Sequence, residues 1–592
     1  MRYIYYKAKT YIFVCLSLLA IGCGQKDKKY DVVDTFEKEI SIVYEKQLEA
    51  SASYLDSLNA TMEIEKKRDF YAKARKNFKL LEPVLAHTDK NNYKSLNAPN
   101  ILIVKGEESL DLKVMNPIGF QVIEETLYED TLDTLALKNL VNVTSARLKL
   151  IKNNLHLQLK EYHIIWLLRE QITRIATTGI TGFDSPVLNQ SLLESSYTYE
   201  TLKEIVKLNR SKFSSKDMYA KVIKSFEMAQ FALKTDFNAF DRFDFIQNHT
   251  DPQLKLLLEV QEDWKVQFPF ELGLSNNMHT LFSESTLNKG YFSDKQNDTV
   301  KIIEKEALGK ALFNDVSLSK NYNMSCASCH IKDLAFTDGK RVFDKNQTRN
   351  TPTLTYSAYQ KGFFMDSRAG SLEGQVVGVV KNHNEFNTSM DSVIARVFQN
   401  NDYKKSLETL YGNKRVSYNI RHAIASYIKS LNAFSSKFDK NIRGEENTLT
   451  QNEKKGFNLF MGKALCATCH FAPVFNGTVP PNYLDTEMEA IGTPNLAQNG
   501  LSEDLGRYDV FKTEARKHFF KTPTIRNIGK TSPYMHNGVF KTLEEVVDFY
   551  SKGGGVGLGF DLPNQTLPFD NLELTDQEIK ELVSFMETLT DE

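Results

Sequence analysis

Cysteine is scarce: six in 592 residues, too few for a disulfide scaffold. An excess of either charge is also missing. Lys and Arg number 74 against 75 Asp and Glu, a formal net charge of -1, so nothing electrostatic points to nucleic acid as a partner. Tryptophan occurs only twice, at Trp166 and Trp264, which excludes indole chemistry anywhere later in the chain. After residue 22 no run supplies the ~20 apolar residues that a membrane span needs. Hydrophobic residues at 41% and charged residues at 25% exclude wholesale disorder. At roughly 100–200 residues per domain, a chain of this length asks for about three domains.

The six cysteines are placed informatively. Cys15 lies in the apolar run from Tyr11 to Gly22, which follows the basic residues Arg2, Lys7 and Lys9. A basic start, about 12 apolar residues and small residues before a cut describe an export signal over residues 1–22. Ala20-Ile21-Gly22-Cys23 resembles a bacterial lipobox, with Leu19 one place early. That resemblance implies lipidation of Cys23, and an exported protein of the periplasm or cell envelope tethered to a membrane. A plain cleaved signal is the competing reading.

Residues 31–266 carry apolar residues at helical spacing, as in Leu148, Leu150, Ile151, Leu155, Leu157 and Leu159, with few glycines or prolines. A turn-rich gap near 86–117 divides this helical region, and a break follows at 268–273. Beyond it, short helices alternate with long loops. Capping boxes at Thr450, Thr542 and Thr575 predict helices over about 451–460, 543–550 and 576–588. No internal repeat of fixed period is evident.

The remaining four cysteines fall in Cys326-Ala327-Ser328-Cys329-His330 and Cys466-Ala467-Thr468-Cys469-His470. Each is CxxCH, the attachment signature of c-type haem: two thiols bond the vinyl groups and the histidine binds the iron. With this chain's cysteine and histidine content, ~0.001 copies are expected by chance. A zinc site or a redox dithiol is the alternative. Two covalent haems would fill the core that short helices and long loops leave open.

Around these motifs stand Leu308-Gly309-Lys310-Ala311-Leu312-Phe313, Ala335-Phe336-Thr337-Asp338-Gly339, Arg349-Asn350-Thr351-Pro352-Thr353-Leu354 and Asp366-Ser367-Arg368. Pro523-Thr524-Ile525-Arg526-Asn527 and Ser532-Pro533-Tyr534-Met535-His536-Asn537-Gly538 follow. In this order they resemble the dihaem cytochrome c peroxidases and MauG-type oxidases over about 295–590. The resemblance implies a mostly α fold: a helical N-terminal domain (31–266), then a peroxidatic cytochrome domain (295–440) and an electron-transfer cytochrome domain (450–590). It implies His330 and His470 as proximal ligands, with Glu385 as acid/base and Gln375 as a hydrogen-bond donor beside it. It also implies a calcium ion held by Asn350, Thr531 and Pro533. Hydrogen peroxide, and a small cytochrome c or cupredoxin as electron donor, are the implied partners. A MauG-type oxidase and a non-enzymatic electron carrier or redox sensor are the rival functions.

The chain departs from that family at three places. Met365 stands where the peroxidases carry a tryptophan. No histidine lies between His330 and His383, so the blocking distal histidine is missing, although His383 could compete with Glu385. Tyr550 stands where the classical peroxidases place a methionine ligand, with Met535 as its rival for the second iron. In the helical region, Gly119-Phe120-Gln121-Val122-Ile123-Glu124 is similar to the GxHxxE motif of imelysin-like proteins. Gln121 replaces its histidine and weakens any metal site at Glu124. If Cys23 is the anchor, Cys23→Ala abolishes fatty-acid labelling and releases the protein from the membrane fraction; labelling that survives refutes the anchor.

Overall fold

The computed structural model describes residues 35–109, 111–293 and 300–592; Cys15, Cys23 and the signal segment lie outside them. The architecture is mostly α, with two small antiparallel ribbons, Ile103–Lys105 with Lys113–Met115 and Met488–Glu489 with Phe520–Lys521. Among the described residues, no helix is long and apolar enough to cross a membrane.

Thr35–Ala60 packs on Ile64–Thr88 and on Thr134–Asn153, whose first turn is held by Asp133 accepting from Leu135 N and Ala136 N. That helix stops at Asn153, short of the expected periodic stretch. Leu155, Leu157 and Leu159 alternate along a non-helical connector, Leu159 is buried, and Leu150 is 52% exposed. Part of the turn-rich gap also differs from expectation: Lys90–Leu96 is a short helix capped by Asp89, which accepts from Asn92 N. The capping boxes form as expected and start Gln451–Met461, Leu543–Ser551 and Asp576–Glu587.

Apolar packing joins regions that are distant in sequence. One core runs from Phe36 through the helical region, takes in Tyr356, Ala358 and Tyr359, and resumes over Phe434–Leu589, while other residues between Leu308 and Ile428 build a second core. The join is aromatic. Phe243 meets Phe438 (6.2 Å) and Phe457 (6.1 Å), and Phe282 meets Phe438 (5.1 Å) and Phe475 (5.7 Å). Arg242 adds its backbone N to Asn458 Oδ1 and donates Nε to Ile180 O and Nη1 to Phe240 O.

Inside the helical region lies a balanced ionic cluster. Arg75 forks onto Glu194 (2.6 and 2.8 Å), and Lys79 sits between Glu82 and Asp184, both at 2.7 Å. Asn97 donates to Asp184, Gln171 and Tyr93 donate to Glu82, and Arg174 donates to Tyr93. Burial alone would raise Asp184; Lys79 and Arg75 outweigh it and hold the carboxyl below its ordinary value. Lys79→Met strands two buried carboxylates and costs about 3–5 kcal/mol, measured by denaturant unfolding, whereas Lys73→Met at the exposed Lys73–Asp69 pair leaves the midpoint unchanged.

Candidate haem and peroxide site

Each CxxCH forms a single 3₁₀ turn, Cys326–Ser328 and Cys466–Thr468, closed by His330 N to Cys326 O (3.0 Å) and His470 N to Cys466 O (2.9 Å). His330 Nδ1 lies 2.8 Å from Phe336 O. His470 Nδ1 lies 3.2 Å from Phe475 O and 3.1 Å from Pro523 O. A carbonyl partner makes Nδ1 the protonated nitrogen and leaves Nε2 with the lone pair, the state that an iron ligand needs. Burial lowers the pKa of both imidazoles and keeps them neutral.

Local backbone brings those carbonyls round. Ala335 and Phe336 (φ 49° and 59°) and Phe475 (φ 54°) take left-handed conformations that cost free energy unless held from outside. Thr353 Oγ1 holds Ala335 O at 2.6 Å, and Thr524 Oγ1 holds Val474 O at 2.6 Å. Arg526, fully buried, donates Nη2 to Pro473 O (2.7 Å) and Nη1 to Asp439 (2.7 Å).

These paired roles expose an internal repeat that the sequence reading missed. One constant interval separates Pro352 from Pro523, Thr353 from Thr524, Leu372 from Leu543 and Val379 from Tyr550. The backbone follows it: Tyr356 and Asn527 (57° and 61°), Phe364 and Met535 (64° and 69°), and Ser367 and Gly538 (56° and 66°) share positive φ. A helix crossing precedes each haem turn, at Gly309 against Ala423 O and at Gly456 against Glu581 O, where a Cβ would come within 1.9 Å of the oxygen. Unequal insertions between these blocks hide the period across the whole half.

The donor set fits a covalently attached haem. Burial pushes the thiols of Cys326, Cys329 and Cys466 up to about 12, and Cys469 well above its ordinary value. A redox dithiol or a zinc cage wants thiolates at neutral pH. Among the described residues, no three His, Cys, Asp or Glu side chains converge as a metal cage. Two thiols and the histidine that follows them on one turn are the set that covalent haem attachment uses.

At the first turn, the Glu385 carboxylate adds to the upward shift of both Cys326 and Cys329, which puts it within electrostatic reach of each thiol. Glu385 follows the helix Leu372–Lys381, with its N bonded to Asn382 O (3.1 Å). Burial raises its pKa against an opposing bond from Asn382 and the charge of Arg368. Asn382 Nδ2, not the expected Gln375, donates to Glu385 Oε1 at 2.6 Å. Gln375 lies half-buried on the helix before it. His383 is exposed and pairs with Asn387 Oδ1 (3.0 Å). Met365, in place of tryptophan, contributes its carbonyl to Lys521 N (2.7 Å), a bond between the two halves.

At the second turn, burial pushes the Tyr550 phenol up, with Cys469, Cys466 and Glu489 adding to it, which puts Tyr550 within electrostatic reach of the attachment cysteines. Met535 packs against the apolar core, and its repeat partner Phe364 is a packing residue under Arg368 (3.6 Å). Glu489, which sequence reasoning missed, is pushed up to about 7 by burial beside Cys469 and Thr566. Only its place in a two-residue strand marks it, and no motif did.

Asn350 N bonds His536 O (2.7 Å) and its Nδ2 bonds Lys340 O, while Thr531 Oγ1 turns back to Ile528 O (3.2 Å), one residue from the loop of Pro533. In the helical region, Glu124 accepts from Tyr71 Oη (2.9 Å), Ser185 Oγ (3.0 Å), Val187 N (3.0 Å) and Leu188 N (3.1 Å), and Gln121 donates to Asn97 O. That is a structural anchor, with the carboxylate saturated by protein donors.

The family model for di-haem cytochrome c peroxidase matches residues 303–447. The cytochrome-c peroxidase IdrP1 of Pseudomonas sp. (strain SCT) is 32% identical, over 50% of this chain and 82% of its own length. The methylamine utilization protein MauG of Methylorubrum extorquens is 33% identical, over 48% of this chain and 78% of its own. The cytochrome c551 peroxidase of Nitrosomonas europaea is 32% identical, over 48% and 79%. If Tyr550 holds the second iron, Tyr550→Phe changes the ferric absorption and paramagnetic resonance spectra of one haem and Met535→Leu leaves both alone; the reverse pattern assigns Met535.

Proposed function

Because the chain belongs to the dihaem cytochrome c peroxidase and MauG family, we propose that it reduces hydrogen peroxide to water with electrons from a small cytochrome c or cupredoxin. One peroxide takes two electrons and two protons and leaves as two waters. The observation that carries this reading is the Glu385 carboxylate, held by Asn382 within electrostatic reach of both thiols of the first attachment turn. The two c-type haems of the family, on Cys326, Cys329 and His330 and on Cys466, Cys469 and His470, supply the redox equivalents when bound.

The chain's own residues handle the protons. Glu385 takes a proton from the near peroxide oxygen and returns it to the far one, so that the leaving oxygen departs as water and not as hydroxide. Asn382 fixes the carboxylate through Oε1 and leaves Oε2 for the substrate. Arg368 and the Asn382 bond oppose the upward shift that burial imposes on it. Gln375, on the helix that precedes Glu385, offers an amide donor that orients peroxide.

Tyr550 favours a second reading, in which peroxide drives oxidation of an outside protein or small molecule. A phenolate ligand lowers a haem potential and suits an oxidising state, whereas methionine raises it. Donor stoichiometry separates the two: a peroxidase consumes two reduced cytochromes per peroxide. The proposal also includes calcium at Asn350, Thr531 and Pro533, supported by the bond that draws the Asn350 loop to the second half. Export and a lipid on Cys23 complete it.

Glu385→Gln is expected to lower kcat/KM for peroxide by roughly 10²–10⁴ while both haems stay attached. Wild-type turnover, which needs the deprotonated carboxylate, is full above the raised pKa of Glu385 and falls as pH drops through it. Unchanged turnover in Glu385→Gln removes the assigned base, and absence of peroxide turnover in wild type removes the peroxidase.

A further inference from the structure

The turn Phe363–Ala369 carries Arg368, whose charge reaches Glu385, and it is strained. Phe364 and Ser367 both have positive φ (64° and 56°), which non-glycine residues hold only when neighbours force it. Gly362 packs closely at its foot: a Cβ there would lie 1.8 Å from Ser367 Oγ and would force that hydroxyl to rotate. Two clamps hold the turn. From within, Asp366 Oδ2 accepts from Arg349 (2.5 Å) and Arg368 (2.7 Å). From the second half, Arg507 Nη1 donates to Ser367 O (2.7 Å) and Asp366 O (3.2 Å).

Arg507 is 6% exposed, and both carbonyls it holds are neutral. The carboxylate facing it comes from the helical region. Glu107, in the loop of the ribbon Ile103–Lys105 with Lys113–Met115, lies 3.4 Å from Arg507 Nε and 3.8 Å from Arg516 Nε, with its own side chain only 9% exposed. Glu108 reaches Arg507 Nη2 at 3.6 Å but is 80% exposed, so solvent screens it. A nearly buried guanidinium with one nearly buried carboxylate partner depends on that partner.

We propose that Glu107 is a positioning residue for the peroxide site: it holds Arg507 in place, and Arg507 holds the strained turn that presents Arg368 to Glu385. The helical region thereby acts on chemistry in a half of the molecule with a separate apolar core. Coupling runs through discrete contacts, Glu107 to Arg507, Arg507 to the carbonyls of Asp366 and Ser367, and that turn to Arg368. Without the carboxylate, the guanidinium turns toward water and the turn relaxes. This inference rests on the peroxidase reading only for its turnover measurement.

The test uses the full-length protein with both haems attached. Glu107→Gln preserves shape and removes charge, Glu107→Asp preserves charge, and Asp111→Asn in the same ribbon loop is the control. Two rates are read: peroxide turnover with reduced cytochrome, split into kcat and KM, and the association rate of cyanide with the first ferric haem. Glu107→Gln is expected to change the cyanide rate and lower kcat by about fivefold or more with KM for the donor unchanged, Glu107→Asp to recover most of it, and Asp111→Asn to match wild type. In a double-mutant cycle, Glu107→Gln and Arg368→Lys are expected to be non-additive although the side chains do not touch. Wild-type cyanide and turnover rates in Glu107→Gln overturn the proposal, as do strictly additive effects or a loss of rate only in step with lost haem. If wild type lacks peroxide turnover, the peroxidase reading fails and the cyanide rates still decide the role of Glu107.

Discussion

A hydrogen bond from a histidine ring to a backbone carbonyl sets the geometry of each haem half. An imidazole that gives Nδ1–H to a carbonyl is fixed in tautomer and in ring angle at once. Phe336 O and Phe475 O do this for His330 and His470. Much of the surrounding structure serves to aim those oxygens. The left-handed residues at 335, 336 and 475 turn the chain, threonine hydroxyls catch the preceding carbonyl, and in the second half Arg526 ties the loop to Asp439. The motifs that looked like a string of family signatures in sequence are one bracket used twice.

The two halves then diverge where chemistry differs. The capped helix after each strained turn presents Val379 in one half and Tyr550 in the other at the same repeat position. Valine has no lone pair to offer an iron, and tyrosine has an oxygen. A half-buried carboxylate follows the helix in the first half, at Glu385, and lies on a strand in the second, at Glu489. One repeat position thus carries an aliphatic side chain in one half and a phenol in the other.

Much of this was legible in sequence and some was not, for identifiable reasons. CxxCH is local, so its turns follow from five residues each. Capping boxes are also local, and the three helices they predicted begin where expected. Leu155, Leu157 and Leu159 misled because apolar residues two apart fit a helix face loosely and an alternating connector better. The bond from Asn382 to Glu385 was not read from sequence, because it forms only when the helix end turns the chain back on itself. The repeat went unseen because its halves keep only a few identities, with insertions of different length before the conserved block. Glu107 was invisible, since a lone carboxylate in a polar loop carries no signal until a guanidinium from 400 residues away is placed beside it.

The shared core of the helical region and the second haem half gives the chain a discontinuous order. Phe36 to Phe292 and Phe434 to Leu589 build most of one apolar interior, which takes Tyr356, Ala358 and Tyr359 from the segment between; the other core residues from Leu308 to Ile428 form an interior of their own. A ribosome or an export channel delivers the helices first and their covering surface last. Phe243 and Phe282 stay without Phe438, Phe457 and Phe475 until most of the chain has emerged, while the inserted half closes as soon as its own residues arrive. The order of maturation is therefore set by topology: the insertion can mature before the body that carries it.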